Sequence, residues 1–301
     1  MARMKIVVLG AGAVGSVYGF KLSARHDVTL VGTEAYVRAV QQQGLRVEGA
    51  LASATFPIKA ATHLDALEPG TLIILTTKVN NTVAAVTPIV GLLDPSMTIL
   101  CVQNGLYSER LVRGLVGDRA VIIRAITQFG AVLRGPGVIE YTVAGYTLVE
   151  PHQRAAAIAA ILTESGLDGR VVPDMKRDMW RKVIFNCVIN PITAMTGSLV
   201  SGITAPGLAP VKRLVIDECL AVAAADGVTF QDDFMALIDE VFAKSDTVAS
   251  TLQDLRKGRT TEIDHLNGAV AALGADYGIE CPVNRALTTI IKQLESQARD
   301  G

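Results

Sequence analysis

Residues 4–15 read MKIVVLGAGAVG, an apolar run that ends in a glycine-rich turn. The run 4–9 is rich in β-branched residues and predicts a strand, and helical apolar spacing over 16–24 predicts a helix after the turn. Such a turn uses its first glycine for the bend, its second for close approach of backbone to a pyrophosphate, and its third for helix-to-strand packing. The helix N-terminus adds N–H groups and a positive dipole end. We therefore predict a dinucleotide site formed by Gly10, Ala11, Gly12, Ala13, Val14 and Gly15.

The rest of the first half continues the alternation of strands and helices. Further strands are predicted at 28–31, 72–76 and 98–102, and helices at 82–90, 107–115 and 153–165. This order is typical of a mostly parallel sheet in a Rossmann-type α/β domain. The stretch 119–150 is β-rich, with a turn at Gly135-Pro136-Gly137, and should finish the sheet with antiparallel strands. We predict a dinucleotide-binding domain over 1–173, ending near Pro173, and an all-helical substrate domain over 174–301.

Ligands of such sheets bind outside the carboxyl ends of the strands, which draws attention to three residues. Thr33 follows the second strand, where an acid favours a ribose diol and a basic side chain favours a 2′-phosphate, so it is compatible with NADPH and with NADH. Lys78 could meet a phosphate or the adenosine, and Asn104 could bond the nicotinamide ribose or the substrate. The alternative for Lys78 and Asn104 is a capped loop without a ligand.

The second half contains an apolar helix with a polar stripe. The sequence RKVIFNCVINP, residues 181–191, places Lys182, Asn186 and Asn190 four residues apart among apolar neighbours. On a helix these side chains lie about one turn apart along one face. Because ammonium and carboxamide groups are costly to bury alone, they need internal partners, water or a polar ligand. We favour a ligand, the alternative being a structural network between packed helices. Pro191 should kink or end the helix.

A second candidate segment, residues 245–268, reads SDTVASTLQDLRKGRTTEIDHLNG. Ser250 lies twelve residues before Glu262 in this segment. Ser250 could donate to a substrate carboxylate, and Glu262 could hold the lysine of the stripe, the cofactor ribose or a substrate hydroxyl. Thr261 and Asp264 resemble a capping box, so the alternative for Glu262 is a favourable acid in a first helical turn.

A nicotinamide and the lysine stripe together suggest a reaction. Hydride addition to a carbonyl carbon produces an alkoxide that must be protonated or stabilised. Lys182 suits that role, provided that burial lowers its pKa from about 10.4 towards the working pH. Asn186 and Asn190 would orient hydroxyl or carboxylate groups of the substrate. We expect the two domains to enclose the site in a cleft.

Composition argues against several other classes of protein. The 301 residues include 28 Lys and Arg against 29 Asp and Glu, without a long run of either sign, so nucleic acid is not an expected partner. The apolar segments are short and interrupted, unlike a membrane span, and the first one stops too early at Gly10 for a signal sequence. Scattered cysteines and histidines predict no metal site and a reducing cytoplasm. A homodimer through the helical half would be ordinary for such a protein.

The chain resembles the ketopantoate reductases, also called 2-dehydropantoate 2-reductases, over nearly its whole length. The shared motifs, in the family's order, are GAGAVG at 10–15, TTK at 76–78, QNG at 103–105, WRKVIFNCVINPITA at 180–194 and STLQDLRKGRTTEIDHLNG at 250–268. The resemblance implies NADPH-dependent reduction of 2-dehydropantoate to pantoate, a step towards pantothenate and coenzyme A. The residues it implies are Lys182 as proton donor, Asn186, Asn190 and Ser250 at the substrate, Asn104 between cofactor and substrate, and Lys78 and Glu262 at the cofactor.

Two positions depart from the family's pattern. Thr33 stands where the family often has an arginine for the 2′-phosphate, and Thr247 stands where it often has an asparagine. These departures leave the choice between NADPH and NADH, and the particular 2-oxo acid, open. The rival interpretations are an NAD(P)-dependent reductase of another 2-oxo acid, a dehydrogenase of a 3-hydroxy acid or sugar-acid phosphate, and a non-catalytic dinucleotide sensor. A sensor would have no use for the lysine stripe.

Overall fold

The computed structural model describes residues 3–49 and 53–300, and contacts within the chain define two compact units. The first unit has two segments, the chain up to Gln103 and the stretch Tyr107–Met175. The second unit comprises Asn104–Leu106 and the chain from Lys176 onward. Asn104 is therefore grouped with the C-terminal half of the chain, which the sequence does not indicate. The assignment of separate functions to 1–173 and 174–301 stays a prediction.

The first unit is built from strands and helices that alternate along the chain. Its strands are β1 (Lys5–Leu9), β2 (Asp27–Val31), β3 (Leu45–Glu48), β4 (Ala54–Phe56), β5 (Lys59–Ala61), β6 (Leu72–Leu75), β7 (Thr98–Cys101), β8 (Val121–Thr127), β9 (Gly130–Gly135), β10 (Val138–Val143), β11 (Thr147–Val149) and β12 (Gly169–Val171). Its helices are α1 (Ala13–Ser23), α2 (Glu34–Gln43), α3 (Thr82–Val86), α4 (Ser108–Val116) and α5 (Ala155–Glu164). Short 3₁₀ turns occupy Val79–Asn81, Thr87–Leu92 and Gly117–Arg119.

Within the described residues, one sheet has the strand order β12-β11-β8-β7-β6-β1-β2-β5. In this order the strands β8, β7, β6, β1, β2 and β5 pair in parallel, each with the next in that run. The direction of the strand order reverses between β1 and β6, which is where open α/β sheets bind their ligands. Leu9, Leu75 and Cys101 end three adjacent strands in register, so the segments after them emerge at the same edge of the sheet. The predicted Rossmann-type fold is confirmed.

The residue pattern of the central strand explains why both faces of this sheet are covered. Ile6 and Val8 belong to one hydrophobic core, and Val7 and Leu9 belong to another, with at most 7% of any of them exposed. A strand that is buried on both faces reads as a continuous apolar run rather than an alternating one. The run before the glycine turn is therefore what places this turn at the centre of the sheet.

The β-rich stretch after α4 is divided between two sheets. β11 pairs antiparallel with β8, as predicted for the end of the main sheet, and β12 then pairs parallel with β11. β9 and β10 form a hairpin around Gly135-Pro136-Gly137, but β10 also pairs with β3, in a four-stranded sheet of order β4-β3-β10-β9 within the described residues. The prediction was wrong for this hairpin, because its partner is a pair of strands of four and three residues that the sequence did not reveal.

The second unit is helical, as predicted, with no strand among its described residues. Its helices are α6 (Met175–Thr196), α7 (Ala209–Ala225), α8 (Phe234–Phe242), α9 (Ser250–Leu255), α10 (Asn267–Asp276) and α11 (Pro282–Asp300), with 3₁₀ turns at Val200–Thr204, Pro206–Leu208 and Ile263–His265. Pro191 lies inside α6, so of the two effects expected of it, a kink or an end, it does not end the helix. In the part of the chain that the structure describes, no helix is long and apolar enough to cross a membrane.

Candidate active site

The glycine turn is shaped by contacts that only glycine permits. The N–H groups of Gly10 and Ala11 both donate to the Val31 carbonyl, at 3.0 and 2.9 Å, and Gly10 has a φ of +117°. A Cβ at Gly10 would lie 2.5 Å from Thr77 N, and a Cβ at Gly15 would lie 2.1 Å from Gly10 O. Side chains do not tolerate such approaches, so substitution at either glycine would displace the turn.

Gly12 differs from its two neighbours because the space beside it is open. It occupies the N-cap of α1, and a Cβ built there would meet no described heavy atom within 4 Å. Within the described residues no side chain caps this helix, and its first turn contains no acid. A helix leaves its first N–H groups without intrahelical acceptors, so this end suits an anion. The turn therefore fits the pyrophosphate of a dinucleotide.

Two side chains at the same sheet edge hold the segment that carries Lys78. The Thr76 hydroxyl donates to Gly10 O at 2.6 Å, which ties the end of β6 to the glycine turn. Gln103 Nε2 donates to Thr77 O and to Thr82 Oγ1, each at 2.9 Å. Lys78 itself is half-buried and precedes the 3₁₀ turn Val79–Asn81.

The tip of β2 carries the residues that would distinguish the two forms of the cofactor. Thr33 is exposed and forms the N-cap of α2. Glu34, the first residue of α2, pairs with Arg38 one turn later. A groove next to this pair is also lined by Thr62 and His63, which follow β5.

Helix α6 carries the polar stripe that the sequence predicts. Lys182 and Asn186 are half-buried, and Asn190 is 6% exposed. Five of the apolar residues between them are at most 5% exposed, and they are Val183, Ile184, Cys187, Val188 and Ile189. Packing of these side chains on both flanks leaves the helix little freedom to rotate, so the stripe has a fixed direction.

Glu262 and Asn104 are in direct contact. Asn104 Nδ2 donates to Glu262 Oε2 at 3.1 Å. Beside them, Leu106 N donates to His265 O, and Gly105 has a φ of +87° with its potential Cβ only 2.5 Å from His265 O. The backbone of Gly105 can approach the turn at His265 because it carries no side chain, and this approach brings the carboxamide to the carboxylate.

The backbone before Glu262 is held by a buried carboxylate. Glu295 of α11 is 5% exposed and accepts hydrogen bonds from both the N–H and the hydroxyl of Thr261. The Thr261 hydroxyl in turn accepts the N–H of Ile263 at 3.2 Å. Glu262 is the N-cap residue of the 3₁₀ turn Ile263–His265, but its side chain makes no capping hydrogen bond there, and its carboxylate accepts from Asn104.

One hydrophobic cluster joins the segments that carry the remaining candidates. Its buried members are Ala194 of α6, Leu252 of α9, Ile263, and Ile291 of α11. The first three of these anchors lie within four residues of Asn190, Ser250 and Glu262, in that order. Ser250 itself is exposed at the start of α9. The cluster therefore fixes the backbone positions of three predicted site residues relative to one another.

Some of the residues that hold this arrangement could not be predicted from the sequence. Glu295 lies 34 positions from Thr261, and no local pattern marks it. In the described residues, no group of three or more His, Cys, Asp or Glu side chains could hold a metal ion.

These features define a class of protein. A glycine turn that fits a pyrophosphate on a Rossmann-type sheet, followed by a helical unit with a lysine stripe, is the arrangement of an NAD(P)-dependent oxidoreductase. Residues 6–154 match the family described as Ketopantoate reductase PanE/ApbA, and residues 174–295 match the C-terminal domain of the same family. The chain therefore belongs to the ketopantoate reductase family, which confirms the resemblance seen in its motifs.

Individual relatives are similar to this chain over almost its full length. The 2-dehydropantoate 2-reductase of Pyrococcus horikoshii is 32% identical over 97% of this chain and 98% of its own length, and that of Vibrio cholerae is 31% identical over the same shares. The crystal structure of a PanE/ApbA family ketopantoate reductase from Ralstonia eutropha JMP134 has a TM-score of 0.90 at 30% identity, covering 98% of this chain and 100% of that one. D-mandelate dehydrogenase with NADH and anilino(oxo)acetate also has a TM-score of 0.90, at 25% identity over 98% of this chain and 99% of that one.

Glycine substitutions distinguish a structural role from a ligand-binding role. We expect Gly15→Ala to destabilise the protein, because its Cβ would meet Gly10 O, whereas Gly12→Ala should retain stability but weaken dinucleotide binding at least about 10-fold by blocking the approach of the pyrophosphate. Thermal unfolding and titration of nicotinamide fluorescence measure the two effects.

Gly114→Ala in α4 is the matched control, since a Cβ there also meets open space. It should leave the dinucleotide affinity unchanged and should not lower stability, because alanine is favoured over glycine inside a helix. Unchanged dinucleotide affinity in Gly12→Ala would contradict the assignment of this turn.

Proposed function

We propose that this protein reduces 2-dehydropantoate to pantoate with NADPH. The observation that carries the proposal is the stripe of Lys182, Asn186 and Asn190 on a helix otherwise packed with apolar side chains. Polar groups in such a place need a polar ligand or internal partners, and a hydroxylated 2-oxo acid offers a carbonyl, a carboxylate and a hydroxyl. Relatives of nearly equal length bear the name of this activity. The reaction would be a cytoplasmic step towards pantothenate and coenzyme A.

Lys182 is the proton donor in this proposal. Bound nicotinamide supplies a hydride for the carbonyl carbon. The Lys182 ammonium stabilises the negative charge that develops on the carbonyl oxygen and then transfers a proton to that oxygen, which produces the hydroxyl of the product. Asn186, Asn190 and Ser250 bind the substrate, because carboxamide N–H and hydroxyl donors suit its carboxylate and hydroxyl groups.

Asn104 and Glu262 act as a unit at the cofactor. Since the Glu262 carboxylate accepts from Asn104 Nδ2, the orientation of the Asn104 carboxamide is defined and its oxygen is directed away from Glu262. We assign Asn104 to contacts with both cofactor and substrate. Glu262 is assigned as a catalytic residue that accepts from a ribose or substrate hydroxyl, and Lys78 as a cofactor-binding cation.

The choice of NADPH depends on the tip of β2. An acid there would repel a 2′-phosphate, but the Glu34 carboxylate is paired with Arg38. Thr33 adds an exposed hydroxyl that can donate to a phosphate. These residues support NADPH, while NADH remains the competing cofactor because the family's usual arginine is replaced.

A second candidate function is NADH-dependent reduction of another 2-oxo acid. The observation that favours it is the similarity in fold to D-mandelate dehydrogenase, whose structure contains NADH and anilino(oxo)acetate. Thr247 favours it as well, since this residue departs from the family's pattern three positions before Ser250.

A panel of substrates and cofactors separates these functions. The purified protein is assayed with 2-dehydropantoate, with 2-oxoisovalerate, which lacks the hydroxyl, and with phenylglyoxylate, each with NADPH and with NADH. We expect the highest kcat/KM for 2-dehydropantoate with NADPH, at least about 10-fold above 2-oxoisovalerate, because an unpaired polar group in the site costs roughly 1–3 kcal/mol. Preference for phenylglyoxylate with NADH would favour the second candidate. Dinucleotide binding without turnover of any acid would indicate a sensor.

The variant Lys182→Ala tests the proton donor. We expect kcat to fall by roughly 10²–10⁴-fold, the usual effect of removing a general acid, while folding and dinucleotide affinity are retained. Lys244→Ala is the control, because this exposed lysine of the same unit has no part in the proposal. Undiminished turnover in Lys182→Ala would remove the lysine from the mechanism.

A further inference from the structure

Pro191 creates an unusual requirement in the helix that carries the stripe. In an α-helix the N–H of residue 191 would donate to the carbonyl of residue 187, but a proline ring has no N–H. The Cys187 carbonyl, which lies between Asn186 and Asn190 along the chain, is thus deprived of its helical donor. Cys187 is completely buried and Pro191 is also buried, so a donor must come from elsewhere in the protein.

Asn267 supplies that donor. Its Nδ2 donates to Cys187 O at 2.9 Å, and its side chain has no exposed surface. Asn267 is the first residue of α10, 80 positions further along the chain. A side chain of another helix therefore takes the place of the backbone N–H that Pro191 lacks.

Asn267 is itself fixed by a chain of buried polar groups. Its Nδ2 also donates to Asn284 Oδ1 at 2.9 Å, and Asn284 Nδ2 donates to Glu218 Oε2 at 2.7 Å. The Glu218 carboxylate further accepts the N–H groups of Val283 and Asn284 at the start of α11. The donor to Cys187 is thus held in place by residues of α7 and α11.

The arrangement has a direct relation to the stripe. A helix that contains proline is free to bend where the hydrogen bond is lost, and the bend determines how the residues on either side face one another. Here that point lies between Asn186 and Asn190. The bond from Asn267 fixes the Cys187 carbonyl, and with it the spacing and direction of the two carboxamides.

We propose that Asn267 is a positioning residue for the substrate, matched to Pro191, and that the pair sets the geometry of α6 between Asn186 and Asn190. The kinetic part of this proposal rests on the proposed function, because Asn186 and Asn190 must bind substrate for their spacing to matter. A purely structural role predicts a loss of stability without a specific change in substrate affinity.

A double-mutant cycle in urea tests the pairing without any assay of activity. Asn267→Ala should lower the unfolding midpoint of the wild-type protein. In a Pro191→Ala background the same substitution should lower it by less than half as much, because the backbone N–H restored at position 191 can donate to Cys187 O. Lys212→Met, which breaks the ion pair between the buried Lys212 and Asp239 in the same unit and not a bond of this network, is the control and should cost the same in both backgrounds. An equal cost of Asn267→Ala in both backgrounds would refute the pairing.

Steady-state kinetics test the positioning role. We expect Asn267→Ala to raise KM for 2-dehydropantoate at least 10-fold while the dissociation constant of the dinucleotide stays within twofold of the wild-type value. Asn267→Ser, which keeps a short donor, should recover part of the loss. Unchanged KM and kcat in a destabilised Asn267→Ala protein would refute positioning and leave a structural role. If the wild-type protein reduces none of the acids, the proposed function and this kinetic part fail together, whereas the urea cycle still decides whether Asn267 replaces the donor.

Discussion

A buried polar group that lacks a partner costs about 1–3 kcal/mol of stability, and this penalty explains why the polar groups of helix α6 need partners. Helix α6 is packed with apolar side chains, yet it carries Lys182, two carboxamides and a carbonyl that Pro191 leaves without a helical donor. The protein meets the carbonyl's need internally through Asn267. For the stripe itself we propose a polar ligand. A substrate with a carbonyl, a carboxylate and a hydroxyl would satisfy its polar groups, which is why the proposed chemistry follows from the packing of this helix.

The dinucleotide site that we propose in the first unit depends on a different physical constraint. It consists mainly of backbone, since two glycines permit contacts that a Cβ would forbid and a third leaves open space at the N-terminus of α1. The apolar strand before the turn is buried on both faces and so lies at the centre of the sheet. Pairing of β1 with β6, and of β6 with β7, brings the ends of these strands to the same edge. In the proposed function, the phosphate is bound by N–H groups of the first unit and the proton is donated by a side chain of the second unit.

Sequence reasoning succeeded where the determining pattern is local. The strand, glycine turn and helix could be predicted because each glycine has a defined local purpose, and the spacing of Lys182, Asn186 and Asn190 could be interpreted because a helix repeats every 3.6 residues. It failed for β3, which is short and pairs with β10, a strand some 90 residues away along the chain. In this pairing Arg46 lies opposite Val138. It also failed for Glu295 and Asn267, whose partners lie 34 and 80 positions distant. Polar partners of this kind become visible only when the helices have packed.

Membership of the ketopantoate reductase family limits the chemistry to an NAD(P)-dependent oxidoreductase, and the central claim about this chain is that the Lys182 ammonium gives a proton to the substrate. The most direct measurement is chemical rescue of Lys182→Ala by a series of small primary amines during reduction of 2-dehydropantoate. The account predicts that turnover rises with amine concentration, and that the size of the rise depends on the acidity of the alkylammonium, as for general acid catalysis. A residual rate that is independent of added amine, in a variant that still binds dinucleotide and substrate, would contradict it.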